Sequence, residues 1–244
     1  MKFGFFTDKG LDAQTLSNHP WTRLDWHPDI NSYGYRCPEW SPMPDGKKNV
    51  VVLGCSHTFG QGLRPGEHWV DLISKHFPTR LRYWNLGVPG ASGDCCVRRL
   101  WGTQKIIDPK IVIICWPDIS RRAWYGESKP TTIMGSDDEN RYQTKQTDLQ
   151  VFLQNVFWAQ KYGEIFHAKI FHCFSTEYID HPDMSELNVL KDYTIRNCWP
   201  YWDRFNPMHE TTEPSHARDG IHYGIEHHER FAKLFLEKFH SRLK

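Results

Sequence analysis

Two short apolar runs constrain most strongly what this chain can fold into. Val50-Val51-Val52-Leu53 and Ile111-Val112-Ile113-Ile114-Cys115 are continuous rather than alternating, as strands are when both faces of a parallel sheet are covered. The first ends at Gly54 and should open the sheet. Trp69, Leu72, Ile73 and Phe77 then recur at helical spacing after Pro65-Gly66-Glu67, and Pro78 closes the stretch. Leu81 to Leu86 reads as a strand, Ser92 to Ile107 as a helix and Ala168 to Phe174 as a further strand. Leu149, Phe152, Leu153 and Val156 mark another helix, and a last one from about Gly224 carries Phe231, Leu234, Phe235 and Phe239 on its inner face. Strands alternating with helices in this way predict an α/β protein with a doubly wound sheet.

Three stretches show no period. Residues 1–48 are rich in Pro, Trp, Asn and Asp and read as an irregular arm packed on a single domain of residues 49–244. Gly126 to Thr147, with Asp137-Asp138-Glu139, reads as a long loop over one sheet edge, and Ser175 to Arg218 as a second irregular stretch. The net charge is +1 and the basic residues are scattered, which argues against nucleic acid or an anionic membrane as partner and leaves a small molecule or glycan. The apolar stretch before Lys9 is too short for a signal peptide and no segment reaches the length of a membrane span, so a soluble, cytoplasmic protein is expected. Seven cysteines without a framework of spacings point to reduced thiols.

Chemistry concentrates in three places. Gly54-Cys55-Ser56-His57-Thr58-Phe59-Gly60-Gln61-Gly62 puts a serine just past the carboxyl end of a buried strand, the edge at which open α/β sheets bind ligands. Asn85-Leu86-Gly87-Val88-Pro89-Gly90 follows the next strand, where the Gly87 amide could face an oxyanion beside Ser56. Far along the chain, Asp219-Gly220-Ile221-His222 sets an imidazole three residues after a carboxylate, so that the carboxylate can fix the tautomer of a ring that deprotonates a serine. Taken singly, each reads more readily as a turn or cap.

Together, and in this order, Gly54-Cys55-Ser56 with Thr58 and Gly60, Asn85 to Gly90, and Asp219 to His222 resemble the blocks of the SGNH (GDSL-like) hydrolases, in a G-C-S variant. The resemblance covers roughly Asn49 to Lys244, and Asn31 to Arg36 resembles a segment that precedes this domain in some relatives. It implies a three-layer α/β/α, flavodoxin-like doubly wound parallel sheet, and an esterase with Ser56 as nucleophile, His222 as base and acid, and Asp219 as its orienter. The amides of Ser56 and Gly87 would be the oxyanion donors, and no metal or organic cofactor would be needed. The family's third block carries an asparagine in the oxyanion hole, whereas this chain reads Cys115-Trp116-Pro117-Asp118, and proline has no N–H or amide to donate. Ser120, Arg121 and Arg122 are the nearby candidates to replace it.

Asn85, Trp116, Asp118, Trp199 and Trp202 are candidates to contact substrate; Trp199, Tyr201 and Trp202 read equally as core or as a sugar-stacking platform beside the cleft. Cys55 reads as structural, because adjacent side chains at a strand end diverge. His216, Asp219 and His222 share a spacing with metal triads but carry nothing else to support one, and His227 and His228 read as surface or cap residues. The substrate expected is a small or carbohydrate-linked ester, acetyl in particular. The other readings are a non-catalytic glycan- or protein-binding module on the same fold and an acyltransferase using the same triad.

Overall fold

The computed structural model describes residues 29–40, 45–125, 130–133, 144–174, 194–195, 216–220 and 222–243. In chain order its elements are β1 (Lys48–Leu53), α1 (Ser56–Phe59), α2 (Trp69–Ser74), β2 (Leu81–Asn85), α3 (Gly93–Ile107), β3 (Ile111–Cys115), β4 (Arg122–Tyr125), β5 (Pro130–Ile133), α4 (Lys145–Phe166), β6 (Lys169–Cys173), β7 (Thr194–Ile195) and α5 (Ile225–Leu243). The main sheet runs β2-β1-β3-β6-β7, and every pairing in it is parallel. This is the flavodoxin-like order, with its switch point between β1 and β3.

Alternation along the strands builds the three layers. Val51 and Leu53 of β1 and Val112 and Ile114 of β3 pack under α3 and α4, while Val50, Val52, Ile111 and Ile113 pack under α2 and α5. Phe231, Phe235 and Phe239 of α5 are each 0% exposed, with burial contributing roughly 2–3 kcal/mol apiece. The long helices begin where the sequence provides caps. The Ser92 hydroxyl accepts the Cys95 N–H ahead of α3, and Thr144 and Thr147 form a reciprocal capping box ahead of α4.

Three expectations change. The stretch from Gly126 to Thr147 is not all loop, because Pro130–Ile133 pairs antiparallel with Arg122–Tyr125; the β-forming Trp124, Tyr125, Thr131 and Thr132 make strands of four residues, too short for a period to register. Thr194–Ile195, inside the second irregular stretch, is the fifth strand of the sheet. His228 is 1% exposed rather than on the surface, since its helical face is that of Phe231 and Phe235, and its Nδ1 accepts the Trp69 N–H at 3.2 Å.

Among residues 29–40 the chain is ordered by its own polar groups. Asn31 Oδ1 accepts the Tyr33 and Tyr35 N–H groups and Asn31 Nδ2 donates to the Pro38 carbonyl. Arg36, 7% exposed, then reaches the core and donates to the carbonyls of Phe59, Gly60 and Leu63. Burial lowers its pKa to about 10, which leaves it charged at neutral pH. The guanidinium thus satisfies the carbonyls at the end of α1 and fixes the loop that follows.

Candidate active site

Ser56 begins α1, the single turn directly after β1. It is 7% exposed. Cys55 beside it packs against Ala91, Cys95 and Ala123, and burial pushes its thiol up, so it is a protonated apolar residue rather than a nucleophile. This agrees with the structural reading of Cys55.

The turn before α5 is held by its own hydrogen bonds. The Ala217 N–H donates to the His222 carbonyl at 2.8 Å and the Gly220 N–H to the Ala217 carbonyl at 2.9 Å. Asp219 Oδ1 accepts the His222 N–H at 3.0 Å, and its Oδ2 lies 2.7 Å from His222 Nδ1. The carboxylate is 0% exposed and the imidazole side chain 17% exposed. Such a pair keeps the ring proton on Nδ1 and leaves Nε2 as the acceptor nitrogen.

Contacts between distant parts of the chain bring this turn to the Ser56 loop. The Arg218 N–H donates to the Gly62 carbonyl at 3.2 Å, and the Arg218 guanidinium grips Glu67 with bonds of 2.5 and 2.8 Å. Gly62 has φ +76°, and a Cβ there would lie 2.8 Å from Ala217 Cβ and 3.0 Å from the Asp219 carboxyl carbon. Glycine is what lets the two segments touch. The ring of His57, next to Ser56, meets His222 edge-on at 5.4 Å and Tyr223 at 5.0 Å. Burial above all, then the charges of His222 and Arg121, hold the His57 pKa well below its ordinary value, so this ring is neutral.

The remaining predicted residues fall differently. The Gly87 N–H is directed at Asn85 Oδ1 at 3.0 Å, and Asn85 Nδ2 donates to the Thr58 carbonyl at 2.8 Å. Asn85, 3% exposed, therefore braces two loops, and the Gly87 amide is bonded to it. Trp116 is 4% exposed, its indole N–H donating to His172 Nδ1 at 2.9 Å, which makes it a core residue. Asp118 Oδ1 accepts both the Ser120 N–H and its hydroxyl, closing the turn after β3. Trp199 and Trp202 lie outside the described residues. His57 follows Ser56 in the same loop and is 5% exposed, and its ring contacts with His222 and Tyr223 come from a distant segment that no local signal announces. A cavity of about 550 Å³, lined by Arg36, Cys37, His68, Asp71 and Tyr83 among others, includes none of Ser56, Asp219 and His222.

Gly87 matters sterically. A Cβ at this position would lie 2.6 Å from the Phe59 nitrogen and 2.9 Å from the Thr58 carbonyl carbon, backbone atoms that cannot step aside. Gly87→Ala is expected to lower stability by about 1–3 kcal/mol or more. Urea unfolding checks this, and an unchanged midpoint would contradict the contact.

No protein-family model matches the chain, and no curated protein matches it in sequence. Among solved structures the chain is similar to TesA, with 16% identity, a TM-score of 0.51, and coverage of 81% of this chain and 100% of that one. It is equally similar in TM-score, 0.51, to a protein from Desulfitobacterium hafniense assigned to the lipolytic G-D-S-L family, with 13% identity over 81% of this chain and 100% of the other. The esterase EstA from Pseudoalteromonas follows at 14% identity and a TM-score of 0.49, over 81% and 99% of the two chains. The fold of this chain is the three-layer α/β/α fold of the SGNH hydrolases. No helix among the described residues is long and apolar enough to cross a membrane.

Proposed function

We propose that this protein is a serine ester hydrolase in which Ser56 is the nucleophile, His222 the general base and acid, and Asp219 the residue that orients it. The observation that carries the reading is the buried Asp219–His222 pair, 2.7 Å apart and joined to the Ser56 loop through Gly62, Arg218 and His57. The Ser56 oxygen adds to the acyl carbon while His222 Nε2 takes its proton, and the carbonyl oxygen becomes an oxyanion near the Ser56 N–H. Collapse expels the alcohol, which receives the proton from His222. Water, activated by the same ring, adds to the acyl-serine and releases the carboxylic acid. His57, neutral and pressed against His222, keeps a second positive charge away from the imidazolium formed in each step.

A short acyl group, such as acetyl on a sugar, fits a serine that is only 7% exposed. The test is labelling with a fluorophosphonate, read by mass spectrometry, alongside hydrolysis of 4-nitrophenyl esters of increasing chain length. An adduct on Ser56 that disappears in Ser56→Ala, with rates highest for acetate, is the expected result. Well-folded protein that takes no label would refute the serine mechanism, and rates rising toward long chains would refute the substrate class.

A further inference from the structure

The proline after Trp116 removes the side chain that would otherwise complete an oxyanion site, and three polar residues downstream could replace it. Two of them are already bonded. Ser120 donates its hydroxyl to Asp118 Oδ1 at 2.6 Å. Arg122 donates to the carbonyls of Ile119, Arg121 and Thr147 and to Asp148 Oδ1 at 2.7 Å, so its guanidinium fastens β4 to the start of α4. Arg121 differs. Its Nε and Nη1 are buried and have no hydrogen-bond partner among the described residues. Buried donors left without a partner are costly to maintain, so they are expected where an anion will arrive.

Its position is well determined. The Arg121 N–H donates to the Asp118 carbonyl at 3.2 Å, closing the turn that leaves β3. Two residues on, the Ala123 N–H donates to Asp94 Oδ2 at 3.1 Å while Asp94 Oδ1 accepts from Asn155 at 3.0 Å, and Ala123 packs against Cys55. The segment therefore runs alongside the residue preceding Ser56. Ser56 follows β1 and Arg121 follows β3, so they stand on the two loops that flank the switch point of the sheet. The Arg121 charge reaches this place, since it opposes the burial that raises the Cys55 thiol and adds to the lowering of His57.

From this geometry we infer that Arg121 is a catalytic residue whose Nε and Nη1 donate to the oxyanion formed when Ser56 attacks an ester, in place of the missing asparagine. The inference rests on the hydrolase reading and names the group that balances the negative charge of its intermediate. A guanidinium adds a full positive charge and a fork of parallel donors that a neutral amide lacks, so the exchange for proline need not cost activity.

The test uses the full chain in wild-type, Arg121→Gln and Arg121→Lys forms, with two probes. The first is the rate of phosphonylation of Ser56 by a fluorophosphonate, whose phosphoryl oxygen occupies the oxyanion position. Arg121→Gln should label about a hundredfold more slowly and Arg121→Lys should recover part of the rate. The second is the rise in melting temperature on adding sulfate, expected in the wild type and absent in Arg121→Gln, which without anion should melt no lower than the wild type. Labelling of Arg121→Gln at the wild-type rate overturns the assignment. If the wild type takes no label, the hydrolase reading fails and sulfate decides alone: an Arg121-dependent shift sustains the anion site, and equal shifts in both proteins overturn it. Should Arg121→Gln not fold, the labelling rate of Arg121→Lys decides, an unchanged rate counting against the assignment.

Discussion

Asp219→Asn is expected to lower kcat for ester hydrolysis by roughly four orders of magnitude at neutral pH while leaving the protein folded. The wild-type carboxylate accepts two hydrogen bonds, from the His222 N–H at 3.0 Å and from Nδ1 at 2.7 Å. An asparagine keeps the first, because its carbonyl can take the place of Oδ1. Its NH2 then faces Nδ1 and can only donate, so the ring proton must move to Nε2. That nitrogen can no longer take the proton of Ser56. Stability should change little, since volume and the backbone bond are retained, and a circular dichroism melt run beside single-turnover kinetics separates the two effects. A loss in kcat of less than tenfold would remove Asp219 from the mechanism proposed.

A second large effect concerns acid. His57, His172 and His228 are 5%, 0% and 1% exposed, and burial lowers the pKa of each, that of His172 to about 3. For two of them a donor that cannot titrate reinforces burial. Trp116 Nε1–H donates to His172 Nδ1 and the Trp69 N–H donates to His228 Nδ1, so protonating either nitrogen would set two hydrogens against each other. The unfolded chain has no such restriction and takes up protons near the ordinary value of 6.5. Between the lowered folded values and 6.5 the unfolded state therefore binds more protons, and stability falls as pH falls. The loss begins at about pH 6.5 and for His172 reaches about 2 kcal/mol at pH 5. His57 and His228 add to it in the same direction, against the roughly 5–15 kcal/mol that holds a domain together.

Glu67 and Asp71 also have lowered pKa values, from 4.5 and 3.8, but what they contribute is lost only at lower pH still, as they protonate. Urea unfolding at pH 8, 7 and 5 thus isolates the histidines. The midpoint should hold between pH 8 and 7 and drop steeply toward pH 5, and His228→Gln should soften the drop. A midpoint that does not move between pH 8 and 5 would show these rings to be hydrated.

What the sequence made legible follows from how local each signal is. The sheet was readable because Val50–Leu53 and Ile111–Cys115 are uninterrupted and because Phe231, Phe235 and Phe239 keep helical spacing over several turns. The Asp219–His222 pair was readable for the same reason, as its two members lie within one turn of chain. β4, β5 and β7 have two to four residues each and exist through pairing, which leaves no periodic trace. Asn85, Gly87 and Trp116 stand in motif positions, yet what each does was set by partners 27 and 56 positions away in the case of Asn85 and Trp116, and by the backbone of α1 in the case of Gly87. Arg121 could be placed among candidates by position alone. Choosing it required knowing which of its neighbours were already bonded.

The joint between Arg218 and Glu67 spans 151 positions of sequence. A ribosome making this chain releases the Ser56 loop and most of the sheet before it has synthesised Asp219 and His222. The growing polypeptide therefore carries Ser56 alone throughout elongation, and any product that stops short of residue 216 has the proposed nucleophile but neither its proposed base nor the guanidinium that draws the two segments together. In refolding, the same long closure places the site among the last features to form. Tryptophan burial should recover first and reactivity at Ser56 after it, and the interval between them measures how long the two ends of the domain take to meet.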